Sequence, residues 1–242
     1  KPKKTLVSLM HINNEIGTMI DLKKIGSICK SHNAMFHSDT VQTIGHFPLD
    51  LSLINIDFIT CSAHKFHGPK GVGFAYINEK NKAYPLIMGG EQERGLRGGT
   101  ESTHNIHGLK IALDEAYKNL LDDQKKVKSL RQLFLKRIQE SVKNVEINGN
   151  LNESSYTILN LRFPISKEKK DLINFKLELA GIACSSGSAC QSGSSEPSHV
   201  LTEILNEEEM KKISIRFSFS KFNSKNEIIY AADNIKNILS EC

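Results

Sequence analysis

The sequence lacks three features, each of which would point to a particular class of protein. It has no apolar run long enough to cross a membrane, no Cys-x-x-Cys pair and no dense block of basic residues. The first absence argues against a membrane protein. The third argues against direct nucleic-acid binding, because the net charge of +5 comes from lysines spread along the chain. Five cysteines, an odd number without zinc-type spacing, argue against a disulfide scaffold or structural zinc site and favour a reducing compartment.

Short strands alternate with helices in the first half of the chain, which predicts an α/β domain whose functional residues gather beyond the strand ends. The predicted strands are residues 5–10 (interpreted as buried), 34–37, 57–61 and 72–77. Asp21 is predicted to cap a helix that ends near His32. A long helical pattern at 104–142 follows a glycine-rich loop, and an α+β region comes after it. We place the boundary near residue 120, which gives domains 1–120 and 121–242.

Lys65 and Asp39 are the first candidates for chemistry. Lys65 stands between a predicted strand end and a Gly-Pro turn, where the backbone is constrained. A lysine held there can lose its proton and attack a carbonyl carbon, whereas the alternative is a solvated surface charge. Asp39 follows the neighbouring predicted strand, so it could meet Lys65 and hold the ring nitrogen of a pyridoxal cofactor. Its alternative is a turn or capping residue.

Hydrogen-bond donors for a phosphate surround this lysine. Ser62, His64 and the glycine turn at 68–71 offer donors close to Lys65, and Thr100 offers another on the glycine-rich loop. Each is uninformative alone, so only the cluster predicts an anion site.

Cys190 and Arg216 are the candidates in the second half. Cys190 lies in a segment of small residues, 184–195, with almost no apolar side chain to bury it. That composition predicts an exposed nucleophile, the alternative being a small buried hydrophobe. Arg216 lies between Ile215 and Phe217 on a predicted strand, and is either a clamp for a substrate carboxylate or half of a buried salt bridge.

Rival motifs fit the sequence less well. Ser62-x-x-Lys65 matches the acyl-enzyme signature, but that serine must open a helix, and here a Gly-Pro turn follows while the companion motifs are missing. Gly68-x-x-Gly71-x-Gly73 runs into a strand instead of a helix, which argues against a dinucleotide or P-loop fingerprint. His64 and His67 have no further ligands at a useful metal-binding spacing.

Six segments resemble, in order, the signatures of cysteine desulfurases of the group I, NifS/IscS-like branch. They are His11-Ile12-Asn13-Asn14-Glu15-Ile16-Gly17, His37-Ser38-Asp39-Thr40-Val41-Gln42, Ser62-Ala63-His64-Lys65-Phe66-His67-Gly68-Pro69-Lys70-Gly71, Arg94-Gly95-Leu96-Arg97-Gly98-Gly99-Thr100, Ser185-Ser186-Gly187-Ser188-Ala189-Cys190 and Ser214-Ile215-Arg216-Phe217-Ser218. The resemblance covers nearly the whole chain, and six motifs in register are far more specific than any one.

The resemblance implies a pyridoxal-phosphate-dependent transferase of fold type I acting as a homodimer. The chain would contain part of the large domain, with a mixed, mostly parallel sheet, and a smaller C-terminal α+β domain that carries the catalytic cysteine loop. The implied reaction converts L-cysteine to L-alanine and leaves the sulfur on an enzyme cysteine as a persulfide. The sulfur would then pass to an acceptor or iron–sulfur scaffold protein, for cluster assembly or transfer-RNA thiolation.

The resemblance also implies which residues hold the cofactor. Lys65 would be the Schiff-base lysine, and Asp39 would contact the pyridinium nitrogen. Gln42 and Asn14 would lie near the ring hydroxyl. Thr100 would reach the phosphate of the partner subunit.

The remaining roles concern phosphate, substrate and sulfur. Ser62 and His64 would bind the phosphate, and His64 would also be a catalytic residue. Arg216, helped by Asn14, would grip the substrate carboxylate, and Cys190 would receive the sulfur. No metal site is expected within the chain, although Cys190 could share a cluster with a scaffold protein.

Two departures and two alternatives accompany the resemblance. The family's N-terminal part, with its phosphate-binding threonine region and ring-stacking histidine, is absent from this sequence, and Ser220-Lys221 replaces a usual glycine and arginine. Another fold-type-I enzyme, an aminotransferase or selenocysteine lyase, would share Lys65 and Asp39 and differ at Cys190. An inactive fragment that retains a protein-binding surface is the second alternative.

The natural N-terminus is expected outside the sequence, and the expected location is a bacterial cytoplasm, with an organelle as the alternative.

Overall fold

The computed structural model describes residues 4–185 and 197–241. Contacts divide the chain into two compact units, the first comprising Lys1–Ile12 and Ile20–Leu120, and the second Asn13–Met19 and Leu121–Cys242. The segment Asn13–Met19 thus groups with residues that follow it by more than a hundred positions, which the sequence does not suggest. The roles expected of residues 1–120 and 121–242 stay predictions.

The first unit is built on a four-stranded mixed sheet. Its strands are β1 (Leu6–Met10), β2 (Met35–Asp39), β3 (Phe58–Ser62) and β4 (Gly73–Ile77), in that spatial order. The first three are parallel and β4 runs antiparallel to β3. Met10 pairs with Asp39 and Asp39 with Thr60, so the carboxyl ends of the three parallel strands share one edge. That edge is where open α/β sheets place their ligands.

Helices cover this sheet and complete a core. Helix α1 (Leu22–Ser31) begins after Asp21, whose carboxylate accepts from the amides of Lys23 and Lys24, so the predicted cap is confirmed. Helix α2 (Thr103–Lys118) contributes Ala116 to the core. The other buried members of the core are Leu22, Cys29, Phe36, Ile44, Ile56, Ile59, Cys61, Ala63 and Phe66.

Strand β1 differs from its interpretation as a buried strand. Leu6 is 54% exposed, Leu9 41% and Met10 39%. The physical reason is its position at the edge of the sheet, where β2 is its one neighbouring strand in the described part of the chain.

The second unit contains a three-stranded antiparallel sheet with β6 in the centre. Its strands are β5 (Glu146–Ile147), β6 (Ile158–Ser166) and β7 (Lys212–Ser218). Its helices are α3 (Leu120–Ser141), α4 (Lys170–Leu179), α5 (His199–Ile204), α6 (Glu207–Met210) and α7 (Lys225–Ser240). Phe134 of α3 packs on Phe217 of β7 with ring centroids 4.8 Å apart, which joins helix and sheet.

The central strand has one apolar and one polar face. Leu159, Leu161 and Phe163 pair with the buried residues Phe217, Ile215 and Ile213 of β7. On the other face, Asn160 lies opposite Arg216 and Arg162 opposite Ser214. Asn160 and Arg162 are buried and therefore need hydrogen-bond partners. Asn148 bonds to both of them, and Arg162 also pairs with Glu146 and Glu209.

The long helix predicted for 104–142 is two helices. Helix α2 ends at Asn119, whose backbone is non-helical and whose side-chain amide donates to the Glu115 carbonyl. An asparagine that bonds to its own helix end favours termination over continuation. Among the described residues, no helix is long and apolar enough to cross a membrane.

Candidate functional site

Asp39 ends β2 at the carboxyl edge of the first sheet. Its backbone carbonyl accepts from the His11 amide at 2.9 Å, and its Oδ1 accepts from the Val41 amide at 2.9 Å. The next residue, Thr40, donates to the Thr60 carbonyl from both its amide and its hydroxyl, at 3.0 and 2.8 Å. The backbone at Asp39 and Thr40 is therefore held from both sides, and the Val41 amide fixes the half-buried carboxylate.

Lys65 lies in a short 3₁₀ turn, Ala63–Phe66, directly after β3. Ala63 and Phe66 are buried and hold the turn, whereas the Lys65 side chain is exposed. His46 Nε2 donates to the Lys65 carbonyl oxygen at 2.9 Å, which ties the turn to the segment that follows Asp39. A constrained backbone with an accessible amine is the arrangement that the sequence predicts for this lysine.

Close packing behind this turn requires glycine at position 45. Gly45 has a φ of +78°, and a Cβ there would lie 2.5 Å from Cβ of Phe66. The backbone that follows Asp39 can therefore approach the lysine turn only because this side chain is missing.

The remaining predicted residues of the first unit flank these two. Ser62 is the last residue of β3 and is half-buried, and His64 is exposed in the lysine turn. Gln42 is half-buried three residues after Asp39, and Thr100 is exposed on the loop before α2. Ser62 and His64 are thus close to Lys65 in sequence, at the end of β3, and Gln42 is close to Asp39, just after β2. Their roles stay predictions.

The second unit brings Arg216 and Asn14 together, 202 positions apart in sequence. Arg216 Nη1 donates to the Asn14 carbonyl at 2.9 Å, and the Arg216 backbone forms a two-bond bridge with Ser185. The guanidinium is half-buried on the polar face of β7. The resemblance implies that Asn14 helps Arg216 to bind the substrate carboxylate, and the observed bond between the two uses the Asn14 backbone carbonyl.

Three residues that sequence analysis missed adjoin this pair. Glu15 is fully buried, and Ser198 donates to its Oε2 at 2.5 Å. Asn160 donates from Nδ2 to the Glu15 carbonyl at 3.1 Å. Glu15 lies within a recognised motif, but nothing in a polar segment of sequence reveals that this carboxylate is buried.

The cysteines fall into two groups. Cys29 and Cys61 are buried, and burial raises the pKa of the Cys61 thiol to about 12. Burial also raises the pKa of Cys184 to about 11, so this thiol is protonated at neutral pH. Cys190 lies outside the described residues. Within 4–185 and 197–241, no three histidine, cysteine or acidic side chains are grouped to hold a metal ion.

Comparison with known proteins places this architecture in a family. Residues 1–230 match the family described as aminotransferase class-V. A probable mitochondrial cysteine desulfurase of Dictyostelium discoideum is 40% identical over 237 residues, which cover 97% of this chain and 52% of that protein. The cysteine desulfurase IscS of Dictyoglomus turgidum is 37% identical, over 98% of this chain and 59% of the relative.

A solved structure gives the same result for the fold. The NifS-like protein from Rickettsia africae superposes with a TM-score of 0.86 at 31% identity, covering 98% of this chain and 62% of that one. The chain therefore spans between half and two thirds of the length of these relatives. The predicted fold class is confirmed: this is the partial α/β fold of a type I pyridoxal-phosphate enzyme. The chain belongs to the class-V aminotransferase family.

Proposed function

We propose that this chain carries out cysteine desulfuration, in which L-cysteine becomes L-alanine and its sulfur passes to Cys190 as a persulfide. The observation that carries the proposal is the placement of Asp39 and of the Lys65 turn at the carboxyl edge of adjacent parallel strands. The similarity to proteins named cysteine desulfurase supports the choice of this reaction within the family.

The donor set of the first unit fits pyridoxal phosphate, on which the family depends. Asp39 supplies a fixed carboxylate for a protonated ring nitrogen, and Lys65 supplies an accessible amine for the aldehyde carbon. Ser62, His64 and Gln42 supply hydroxyl, imidazole and amide groups for phosphate and ring oxygens. When bound, the cofactor supplies an electron sink for negative charge at the substrate Cα.

The residues of the chain have distinct tasks in this reaction. Arg216 binds the substrate carboxylate, and its guanidinium suits a bidentate contact. The Lys65 amine, once free, takes the proton from the substrate Cα. Asp39 keeps the ring nitrogen protonated by holding a negative charge next to it.

Sulfur transfer needs a second nucleophile, which we assign to Cys190. Its thiolate attacks the substrate sulfur, an S–S bond forms, and the Cβ–S bond breaks with its electron pair left on the carbon. Protonation of that carbon then gives alanine. The high pKa of the half-buried Cys184 supports this assignment, because a thiol that stays protonated at neutral pH is a poor nucleophile.

The proposed assembly is a homodimer that delivers sulfur to an acceptor protein. An exposed apolar stretch supports the dimer, since Tyr84 is 85% exposed, Leu86 96% and Met88 84%. Thr100 is exposed later in the same connection and would reach the phosphate of the partner subunit. The acceptor would be an iron–sulfur scaffold or a transfer-RNA thiolation protein, in a bacterial cytoplasm. The matched relatives include both mitochondrial and bacterial proteins.

The test is a paired product assay. The chain with pyridoxal phosphate, L-cysteine and a thiol reductant should release alanine and sulfide in equal amounts. Lys65→Ala should abolish both products, whereas Lys82→Ala, a change at an exposed lysine of the same unit, should not. Alanine without sulfide, or activity that survives Lys65→Ala, would contradict the proposal.

A second pair of variants isolates the sulfur acceptor. Cys190→Ser should remove the protein persulfide, detected by mass spectrometry without reductant, and Cys184→Ser should keep it. A persulfide that is lost in Cys184→Ser and kept in Cys190→Ser would contradict the assignment.

A further inference from the structure

Glu15 is a buried acid that the proposed reaction does not use. It is completely buried, and Ser198 donates to its Oε2 at 2.5 Å. Among the described residues, its Oε1 is buried and accepts no hydrogen bond. A carboxylate at this depth is costly unless neighbours compensate its charge, so its presence calls for a specific explanation.

Three groups fix the position of Glu15. Its amide donates to Asn13 Oδ1 at 2.9 Å, its carbonyl accepts from Asn160 Nδ2 at 3.1 Å, and its carboxylate accepts from Ser198. These contacts come from a local turn, from the central strand β6 and from the start of α5. The residue is thus held in its backbone and in its side chain.

The residue held in this way is the immediate neighbour of the Arg216 contact. Arg216 Nη1 donates to the carbonyl of Asn14, the residue before Glu15. Asn160 completes the connection, because it bonds to Glu15 and lies directly opposite Arg216 in the β6–β7 register.

We infer that Glu15 is a positioning residue for Arg216. Held by Ser198 and Asn160, it fixes the Asn14 carbonyl and thereby the direction of the guanidinium. Under the proposed function, on which this part of the inference rests, Arg216 binds the substrate carboxylate. Glu15 then determines the affinity for that carboxylate. Ser198 acts with it, because its hydroxyl both caps α5 and donates to Glu15.

The first test measures Arg216 directly and needs neither cofactor nor activity. Phenylglyoxal modifies accessible guanidinium groups, and the rate at Arg216 is followed by peptide mass spectrometry. Glu15→Gln and Ser198→Ala should each raise this rate several-fold, and Ser198→Thr, which keeps the hydroxyl, should restore it. Ser224→Ala is the matched control, because it removes a serine cap in the same unit without touching Glu15. An unchanged rate in Glu15→Gln, or an equal rise in Ser224→Ala, would overturn the inference.

The second test asks whether the effect concerns the carboxylate. With pyridoxal phosphate bound, the affinities for L-alanine and ethylamine, which differ by one carboxylate, are compared through the cofactor absorbance. Glu15→Gln should weaken L-alanine binding about tenfold, the size of one lost charged hydrogen bond, and leave ethylamine unchanged. Equal weakening of both ligands would overturn the carboxylate role. If the unaltered chain binds neither ligand, the proposed function fails, and the modification rates still decide the positioning of Arg216.

Discussion

Asp57 shows how a single buried carboxylate joins neighbouring elements of the first unit. Its Oδ2 accepts from the Phe36 amide of β2, and its Oδ1 accepts from Asn81 Nδ2, both at 2.8 Å. Lys80 Nζ lies 3.6 Å from Oδ1. Burial alone would raise the pKa of Asp57, but the hydrogen bonds and the lysine outweigh it and hold this pKa below its ordinary value.

Asp57→Asn should destabilise the first unit by about 1–3 kcal/mol. The asparagine NH₂ group would face either the Phe36 amide or Asn81 Nδ2, and both of these are donors. The free energy of unfolding should also depend on pH. The lowered pKa means that this contribution is complete above the unfolded value of roughly 4 and is lost as the pH falls through the folded value. Urea unfolding between pH 7 and 3 measures both effects. Asp114→Asn, which removes an exposed ion pair with Lys110, should change stability by less than about 0.5 kcal/mol.

At the scale of elements, α7 shows how a helix is started by its first turn and held by its apolar face. Ser224 Oγ accepts from the Glu227 amide at 3.2 Å, and Glu227 Oε2 accepts from the Ser224 amide. This capping box satisfies two amides that the helix leaves unpaired. The buried face consists of Ile228, Ala232, Ile235, Ile238 and Leu239.

Ser224→Ala should therefore cost about 1 kcal/mol of stability through loss of the cap. Thermal unfolding followed by circular dichroism measures it. Ser224→Asp should retain the cap, and Ser240→Ala, at the other end of the same helix, should have little effect. A loss as large in Ser240→Ala would mean that the cap is not the cause.

The limits of sequence prediction are also clearest at this scale. Strand ends and helix starts were predictable at β2, β3 and α1, because polar clusters and the Asp21 cap mark them locally. The exposure of β1 was not, because the position of a strand within a sheet depends on which strands pair beside it. The break at Asn119 was missed because the amphipathic pattern continues through it.

For the whole molecule, the site residues that could be predicted are those that lie in short, recognisable sequence motifs. Lys65 and Asp39 lie at strand ends, so the parallel topology places them at one edge. Glu15 was not predictable, because its burial depends on Asn160 and Ser198, 145 and 183 positions away. Pattern reasoning identifies which residue types are present, but not which distant partners enclose them.

A prediction at this scale follows from Gly17. It belongs to the second unit, has a φ of +75°, and a Cβ there would lie 3.3 Å from the Ile158 Cβ of β6. Gly17→Ala should cost about 1–2 kcal/mol through the left-handed backbone alone. Hydrogen exchange should increase in β6 and not in β1 or β2.

The control for this prediction is Gly95→Ala. It has a similar φ, of +77°, but open space around the added methyl, and it belongs to the first unit. Faster hydrogen exchange in β1 for Gly17→Ala would show that the segment 13–19 belongs to the first unit and not to the second.

The grouping of Asn13–Met19 with the second unit also fixes an order of events during synthesis on the ribosome. These residues are translated well before Ser155, which bonds to Gly17, and Ser198, which bonds to Glu15. The segment therefore lacks these partners until they are translated, whereas the first unit can begin to fold before that. Ribosome-bound chains stopped before residue 150 should expose this segment to proteases, and chains released at full length should protect it.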